Sequence, residues 1–129
     1  MTQDLKKMTL DYLEAVTKKD FPRLEQLLAP DLKFVGPAMT RTTAQDYLAA
    51  LTRLSAIHVA STPRRVFVDG DEACVIYDFV TDTPTGSVPV IEWLRFDEGR
   101  IRAINLYYDQ LPWNGVLDEM KRRSAERMA

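Results

Sequence analysis

The chain has one cysteine, Cys74, and one histidine, His58, among 129 residues. A single thiol excludes an intramolecular disulfide and any cysteine-built zinc cluster. A single imidazole excludes metal sites built on two histidines and any relay between histidines. A lone free thiol fits a reducing compartment, so the expected location is cytoplasmic. No apolar run approaches the roughly 20 residues of a membrane-spanning helix, and no membrane partner is expected. The opening segment, Met1-Thr2-Gln3-Asp4-Leu5-Lys6-Lys7, lacks the apolar core of a secretion signal. Five glycines and seven prolines are too few for a collagen-like or low-complexity chain. A formal net charge of -2 leaves no basic footprint for nucleic acid, and none is expected as a partner.

What is present is an apolar share of 46% beside 28% charged residues. A chain of this length reads as a single domain, residues 1–129, which buries about two thirds of its unfolded surface without a disulfide or metal staple. With metal and thiol chemistry set aside, any reaction must run on carboxyl and phenol groups tuned by burial.

Helical spacing comes first along the chain. Leu5, Met8, Leu10, Tyr12, Leu13 and Val16 recur mostly at three- and four-residue intervals, which predicts an amphipathic helix ending near Lys19. Asp20 stands where an N-cap belongs and Pro22 follows two residues on. Leu24, Leu27 and Leu28 then form the apolar face of a short second helix that Pro30 stops. Asp31 to Gly36 reads as a strand, with Leu32 and Phe34 on one side and Lys33 and Val35 on the other. Thr42 or Thr43 caps a third helix with the stripe Tyr47, Leu48, Leu51 and Leu54.

From His58 onward the period is two. Val66-Phe67-Val68 runs into Asp69-Gly70-Asp71, a hairpin signal. Strands are expected from Ala73 to Thr81, Val88 to Phe96 and Ile101 to Tyr108, with turns between them and Pro112 ending the sheet. Val116 to Met128 forms a short tail helix, basic at Lys121, Arg122 and Arg123, whose simplest reading is a solvated face. Helices first and strands after them indicate an α+β fold: three N-terminal helices on one face of a curved antiparallel sheet, plus the C-terminal helix. Such a sheet encloses a conical cavity, the place to look for a ligand.

Alternation along the strand from Val88 to Phe96 puts Val88, Val90, Glu92, Leu94 and Phe96 on one face, so a carboxyl stands in an apolar stripe. Burial disfavours its ionised form, and it must hold its proton more tightly or find a partner. A carboxylic acid held neutral can donate to an oxygen that gains charge. The plainer alternative is a buried ion pair with an arginine. Tyr12, in the apolar surface of the first helix, is a candidate second donor, although a tyrosine at helical spacing is more often simple core packing. Asp78 shares the face of Cys74, Ile76 and Val80, opposite Val75, Tyr77 and Phe79. His58, at a helix-to-strand junction, reads as structural, and Cys74 as a small buried hydrophobe. Ile91 and Trp93 fall on the outer parity of their strand, where large apolar groups predict a homodimer.

Taken in order, Asp11-Tyr12-Leu13-Glu14-Ala15-Val16, Lys19-Asp20-Phe21, Leu27-Leu28-Ala29-Pro30-Asp31, Ile91-Glu92-Trp93-Leu94-Arg95-Phe96 and Gly99-Arg100-Ile101 resemble the nuclear-transport-factor-2-like superfold. Within it, the chain is similar to the ketosteroid isomerases and the SnoaL-like polyketide cyclases, over residues 5 to 110. The resemblance implies a cystatin-like cone. It puts Tyr12 where ketosteroid isomerases carry an oxyanion-hole tyrosine, and Glu92 where they carry an aspartate kept protonated by its apolar site. The catalytic base of that family, an aspartate before a proline at the end of the first strand, is replaced by Gly36 before Pro37. Asp109, after Tyr107 and Tyr108, matches the late acid/base aspartate of the cyclases; capping the loop that follows is its alternative. Limonene-type epoxide hydrolases fit less well, because Asn105-Leu106 stands where one of their paired acids belongs.

The function implied is a small-molecule isomerase or cyclase acting on an apolar carbonyl compound by enolate stabilisation, with Tyr12, Glu92 and Asp109 as the catalytic set and His58 as another proton carrier. The alternative is a binding protein of the same fold that holds a hydrophobic ligand without turning it over. A third reading leaves only the outer sheet face in use. For either ligand site, Phe34, Tyr77, Phe79, Leu94 and Tyr107 are the expected wall, with Gly36 at the place of the missing base and Trp113 at the mouth. No metal and no organic cofactor is implied.

Overall fold

The computed structural model describes residues 4–128; Met1, Thr2 and Gln3 of the opening segment, and Ala129 of the expected domain, lie outside them. Asp4 starts the first helix, α1 (Leu5–Lys18), its carboxylate accepting from the Lys7 N–H at 3.1 Å. The helix stops at Lys19, a left-handed residue (φ 57°) whose N–H turns back to the Ala15 and Val16 carbonyls. Asp20 caps α2 (Phe21–Leu27) in the same manner, accepting from Arg23.

Pro30 does not stop this helix. Leu28 is already extended, at φ -99° and ψ 137°, and Pro30 lies inside β1 (Leu28–Val35). Proline disfavours helical conformation in the residue before it, so the chain straightens ahead of Pro30. A two-residue strand absent from the sequence reading, β2 (Thr40–Arg41), then pairs antiparallel with β1. Thr43 caps α3 (Ala44–Leu54), its hydroxyl accepting from the Asp46 N–H.

The meander follows as β3 (His58–Asp69), β4 (Glu72–Thr81), β5 (Ser87–Asp97) and β6 (Arg100–Tyr108). β3 is longer than its Val66-Phe67-Val68 signal. Pro63 breaks the alternation at a register shift against β4, which an edge strand tolerates. The six strands lie in the order β2-β1-β6-β5-β4-β3. The sheet is mixed rather than wholly antiparallel, because β1 runs parallel to β6. Alternation of side chains carries no information on strand direction; α3 lies in the connection that takes the chain from β2 at one edge of the sheet to β3 at the other.

The last helix, α4 (Gln110–Met128), is longer than expected and begins before Val116. Pro112 lies in its first turn, where a missing N–H costs nothing, so it starts the helix as well as following the sheet. Arg123 is no free cation of a solvated face: it bonds the Asp82 carboxylate at 2.6 Å and the Ala56 carbonyl at 3.0 Å, fastening α4 to the body of the domain. Buried residues alternate without interruption with half-buried ones along β4 and with exposed ones along β5, and the buried set meets the helices across the concave side of the sheet.

Candidate functional site

A cavity of about 320 Å³ opens between the concave face and the helices. Three phenols and one carboxyl meet on its wall, each brought by a different element. Helical spacing in α1 turns Tyr12 inward with Leu5 and Thr9. Tyr47 comes from the buried stripe of α3. The β4–β5 register pairs Tyr77 with Val90 and Val75 with Glu92, which sets Tyr77 and Glu92 diagonally on one face.

The Tyr12 hydroxyl donates to Glu92 Oε1 at 3.0 Å and the Tyr77 hydroxyl donates to Oε2 at 2.5 Å. Tyr47 completes the chain through a hydrogen bond between its hydroxyl and that of Tyr12. Glu92 is 3% exposed and makes no ion pair among the described residues, so the buried Arg–Glu alternative does not apply. Burial pushes the Glu92 carboxyl above its ordinary range, and the two phenol donors only partly offset this. Burial, with the Glu92 charge next, drives the phenols of Tyr12, Tyr47 and Tyr77 well above theirs. Glu92 is thus the group through which the cluster gains or loses a proton.

Counting protons defines what the cluster offers. Three hydrogen bonds link its four groups. With Glu92 ionised, the three phenol protons are all used internally and only acceptor capacity faces the cavity. With Glu92 protonated there are four protons for three bonds, and one hydroxyl is left to donate to a ligand oxygen.

Phe34, Gly36, Phe79 and Trp113 line the same cavity as Tyr12, Tyr77 and Glu92. Trp113 meets Phe79 edge-on at 5.3 Å, and α4 adds Leu117 and Met120 to the same wall. Leu94 is fully buried in the core and does not reach the wall. Tyr107 is on the other side of the sheet, 51% exposed, and Tyr108 takes the expected place. The cause is a register shift between β5 and β6: Phe96 pairs with Ile101 but Arg95 with Ala103, so Arg102 is an extra residue that inverts parity along the rest of β6.

Asp109 is exposed and off the cavity wall; its Oδ1 accepts from the Leu111 N–H at 3.0 Å at the start of α4. His58 is buried away from this wall, stacked on Phe79 at 4.4 Å with Nε2 3.0 Å from Ser61 Oγ. Burial holds its imidazole down to about 4, hence neutral. Asp78 faces outward and pairs with Arg64, and Cys74 is half-buried on that outer side, its thiol pushed up by burial. Tyr47 is the member of the cluster that the sequence reading left in a core stripe; a buried phenol needs a hydrogen-bond partner, which is the signal that singles it out. Among the described residues no three His, Cys, Asp or Glu side chains gather as a metal site.

The family model for the SnoaL-like domain matches residues 9–104. No curated protein matches the chain significantly. A solved protein from Kribbella flavida is 26% identical, with a TM-score of 0.77 over 95% of this chain and 96% of that one. The candidate polyketide cyclase IdmH from Streptomyces antibioticus is 17% identical, with a TM-score of 0.77 over 90% of this chain and 99% of its own. A Catenulispora acidiphila protein with a ketosteroid isomerase-like fold, solved with trimethylamine, is 23% identical, with a TM-score of 0.69 over 84% and 88%. These two, below 25% identity, bear on the fold alone, and a nuclear-transport-factor-2-like protein from Cytophaga hutchinsonii, 18% identical with a TM-score of 0.76 over 88% of this chain and 97% of its own, gives that fold its name: α+β, nuclear-transport-factor-2-like.

Proposed function

We propose that this chain, which belongs to the SnoaL-like family, is a proton-transfer enzyme that takes an apolar, enolisable carbonyl compound into its cavity and stabilises the derived enolate, the chemistry shared by isomerases and cyclases. One observation carries the reading: a buried carboxyl on the cavity wall, Glu92, held by two phenols and no cation. Ionised Glu92 takes a proton from the carbon beside the substrate carbonyl. The C–H electron pair becomes the new C=C bond and the carbonyl π pair moves to oxygen. The cluster, now carrying four protons, donates its spare hydroxyl to that oxygen. Return of the proton to another carbon gives an isomer; attack of the enolate carbon on a second carbonyl closes a ring. The proton transfer that the sequence reading gave to Asp109 or His58 falls to Glu92 in this scheme.

The test is solvent-deuterium exchange into 2-tetralone, an uncharged apolar ketone, followed by NMR. Wild type accelerates exchange, and Glu92→Gln slows it at least about tenfold, within the range of a lost general base. Equal rates in the two proteins overturn the assignment. Gly36 favours a second reading, ligand binding without turnover, since among the described residues Glu92 is the sole carboxyl on the wall. A raised Tm with 2-tetralone and no exchange above background assigns the chain to that reading.

The proposal includes a second copy of the chain as partner. Phe67, Ile91, Trp93 and Tyr107 are large apolar side chains left 39–51% exposed on the outer sheet face. Among the described residues no helix is long and apolar enough to cross a membrane. Cytoplasmic residence rests on the free thiol of Cys74.

A further inference from the structure

Among the described residues the cavity wall carries two permanent cations, Arg41 on β2 and Arg53 on α3, and one acid, Glu92. The acid belongs to the buried interior. Arg41 is half-buried and Arg53 exposed, so the cations stand at the rim, where the wall meets solvent. Arg65, Arg95 and Arg100 stand in no ion pair among the described residues, but five arginines off this wall have carboxylates: Arg23 meets Asp11, Arg64 meets Asp78, Arg102 meets Asp31 and Asp97, and Arg122 and Arg123 meet Glu119. Among the described residues neither rim arginine does; Arg41 donates only to the neighbouring Thr40 carbonyl, at 2.9 Å. Among the described residues no aspartate on the wall offsets them. The cavity therefore has a direction, with a hydroxyl-and-carboxyl cluster inside, an apolar body, and a positive mouth.

A neutral apolar ligand would leave that mouth unused. Guanidinium groups match the two oxygens of a carboxylate in a planar fork, and a partly desolvated rim strengthens the contact over one in open water. We infer that the ligand is an amphipathic acid, an apolar carbonyl compound bearing an anionic oxygen group such as a carboxylate, its carbonyl at the Glu92 cluster and its anion at Arg41 and Arg53. This rests on the cavity being the ligand site, as proposed above, and narrows the substrate class: uncharged ketones fit the cluster but make no use of the rim. The two positive charges also draw the acid end of the ligand toward the opening, which orients entry with the apolar end leading.

The test uses a matched pair of probes, N-phenyl-1-naphthylamine and its sulfonated counterpart 8-anilino-1-naphthalenesulfonate. The chain has two tryptophans, of which Trp113 lines the cavity and Trp93 lies on the outer face. In a Trp93→Phe background, energy transfer from Trp113 reports probe held in the cavity. Replacing both arginines, Arg41→Gln with Arg53→Gln, is expected to weaken the sulfonate about tenfold, as two partly exposed charge contacts allow, and the neutral amine by less than about twofold. Added salt should narrow the gap between the probes in the parent protein but not in the double variant. Parallel weakening of both probes, or an unchanged sulfonate, overturns the inference while leaving exchange of 2-tetralone to stand or fall separately. Absence of energy transfer to either probe in the parent overturns it together with the cavity reading.

Discussion

Tyr12 and Glu92 are eighty residues apart in sequence and share a 3.0 Å hydrogen bond that joins the first helix to the fifth strand. Glu92 accepts from Tyr77 as well, so removing its carboxyl leaves two buried hydroxyls without their acceptor. Each such loss costs about 1–3 kcal/mol. Glu92→Ala should therefore lower unfolding free energy by about 2 kcal/mol or more in urea titration. Glu92→Gln keeps an acceptor oxygen and the volume and should lose less than about 1 kcal/mol. Equal losses would show that the hydrogen bonds to Glu92 add nothing to the fold.

The raised pKa of Glu92 has a sign in stability. In the unfolded chain the carboxyl loses its proton near its ordinary value of 4.5, while the folded protein still holds it. The folded state binds more protons across that window, so stability from this group falls as pH rises from about 4.5 toward the folded value. The difference in stability between wild type and Glu92→Gln should shrink along that rise, measured by denaturation at constant ionic strength. A difference that grows with pH would mean that the cluster favours the ionised carboxyl.

His58 has the opposite sign. Burial, the larger cause, and the Lys19 charge lower its folded pKa from 6.5 to about 4, so the unfolded chain binds the proton first as pH falls. Stability drops on acidification from 6.5 to 4, by an amount on the order of 3 kcal/mol for a residue only 5% exposed. His58→Phe keeps a ring against Phe79 and should remove this acid-side slope, read in the same titrations. A slope that survives the substitution belongs to other groups.

The two residues of the opening hydrogen bond were legible for different reasons, and the rest of the site was less so. Glu92 follows from alternation, because β5 keeps an unbroken inside-outside pattern over its whole length. Tyr12 followed from resemblance, since periodicity alone cannot separate a core tyrosine from a donor. Tyr108 rather than Tyr107 lines the cavity because one extra residue, Arg102, inverts parity, and nothing in the Ile101 to Tyr108 pattern marks a bulge. Arg41 and Arg53 carry no periodic signal; they face the cavity only because β2 and the end of α3 border its opening. Order of elements and sheet curvature were legible from helix-then-strand patterning, whereas the parallel β1–β6 pair depends on long-range pairing that local pattern does not encode.

Cross-strand pairing builds the outer patch: Ile91 stands opposite Tyr107, Trp93 opposite Cys74, and Cys74 opposite Phe67. A charge at its centre should disfavour its burial against a second copy. Trp93→Glu is expected to shift sedimentation at micromolar concentration from dimer to monomer while circular dichroism stays unchanged. A wild-type protein that already sediments as a monomer removes the dimer from the proposal.

Gly36 lies on the cavity wall where the resembling isomerases carry their base. Its backbone is not in the left-handed region, so a side chain is sterically admissible there. A Cβ would meet Phe34 Cε1 at 3.3 Å and Leu106 Cδ2 at 3.6 Å, which asks the ring to give by a few tenths of an ångström. Gly36→Asp should fold with a cost of about 1 kcal/mol, typical of slight overpacking. It sets a second carboxylate beside a cavity that already holds oxygen donors, and a positioned general base contributes about 10²–10⁴-fold. Exchange of deuterium into 2-tetralone should rise at least about tenfold over wild type, with the rate increasing as the new carboxyl ionises. Gly36→Asn matches the volume without the base and should show no such rise. If Asp and Asn variants exchange at the same rate, the cavity does not present a carbonyl ligand to this wall, and the likeness to the isomerases ends at the fold.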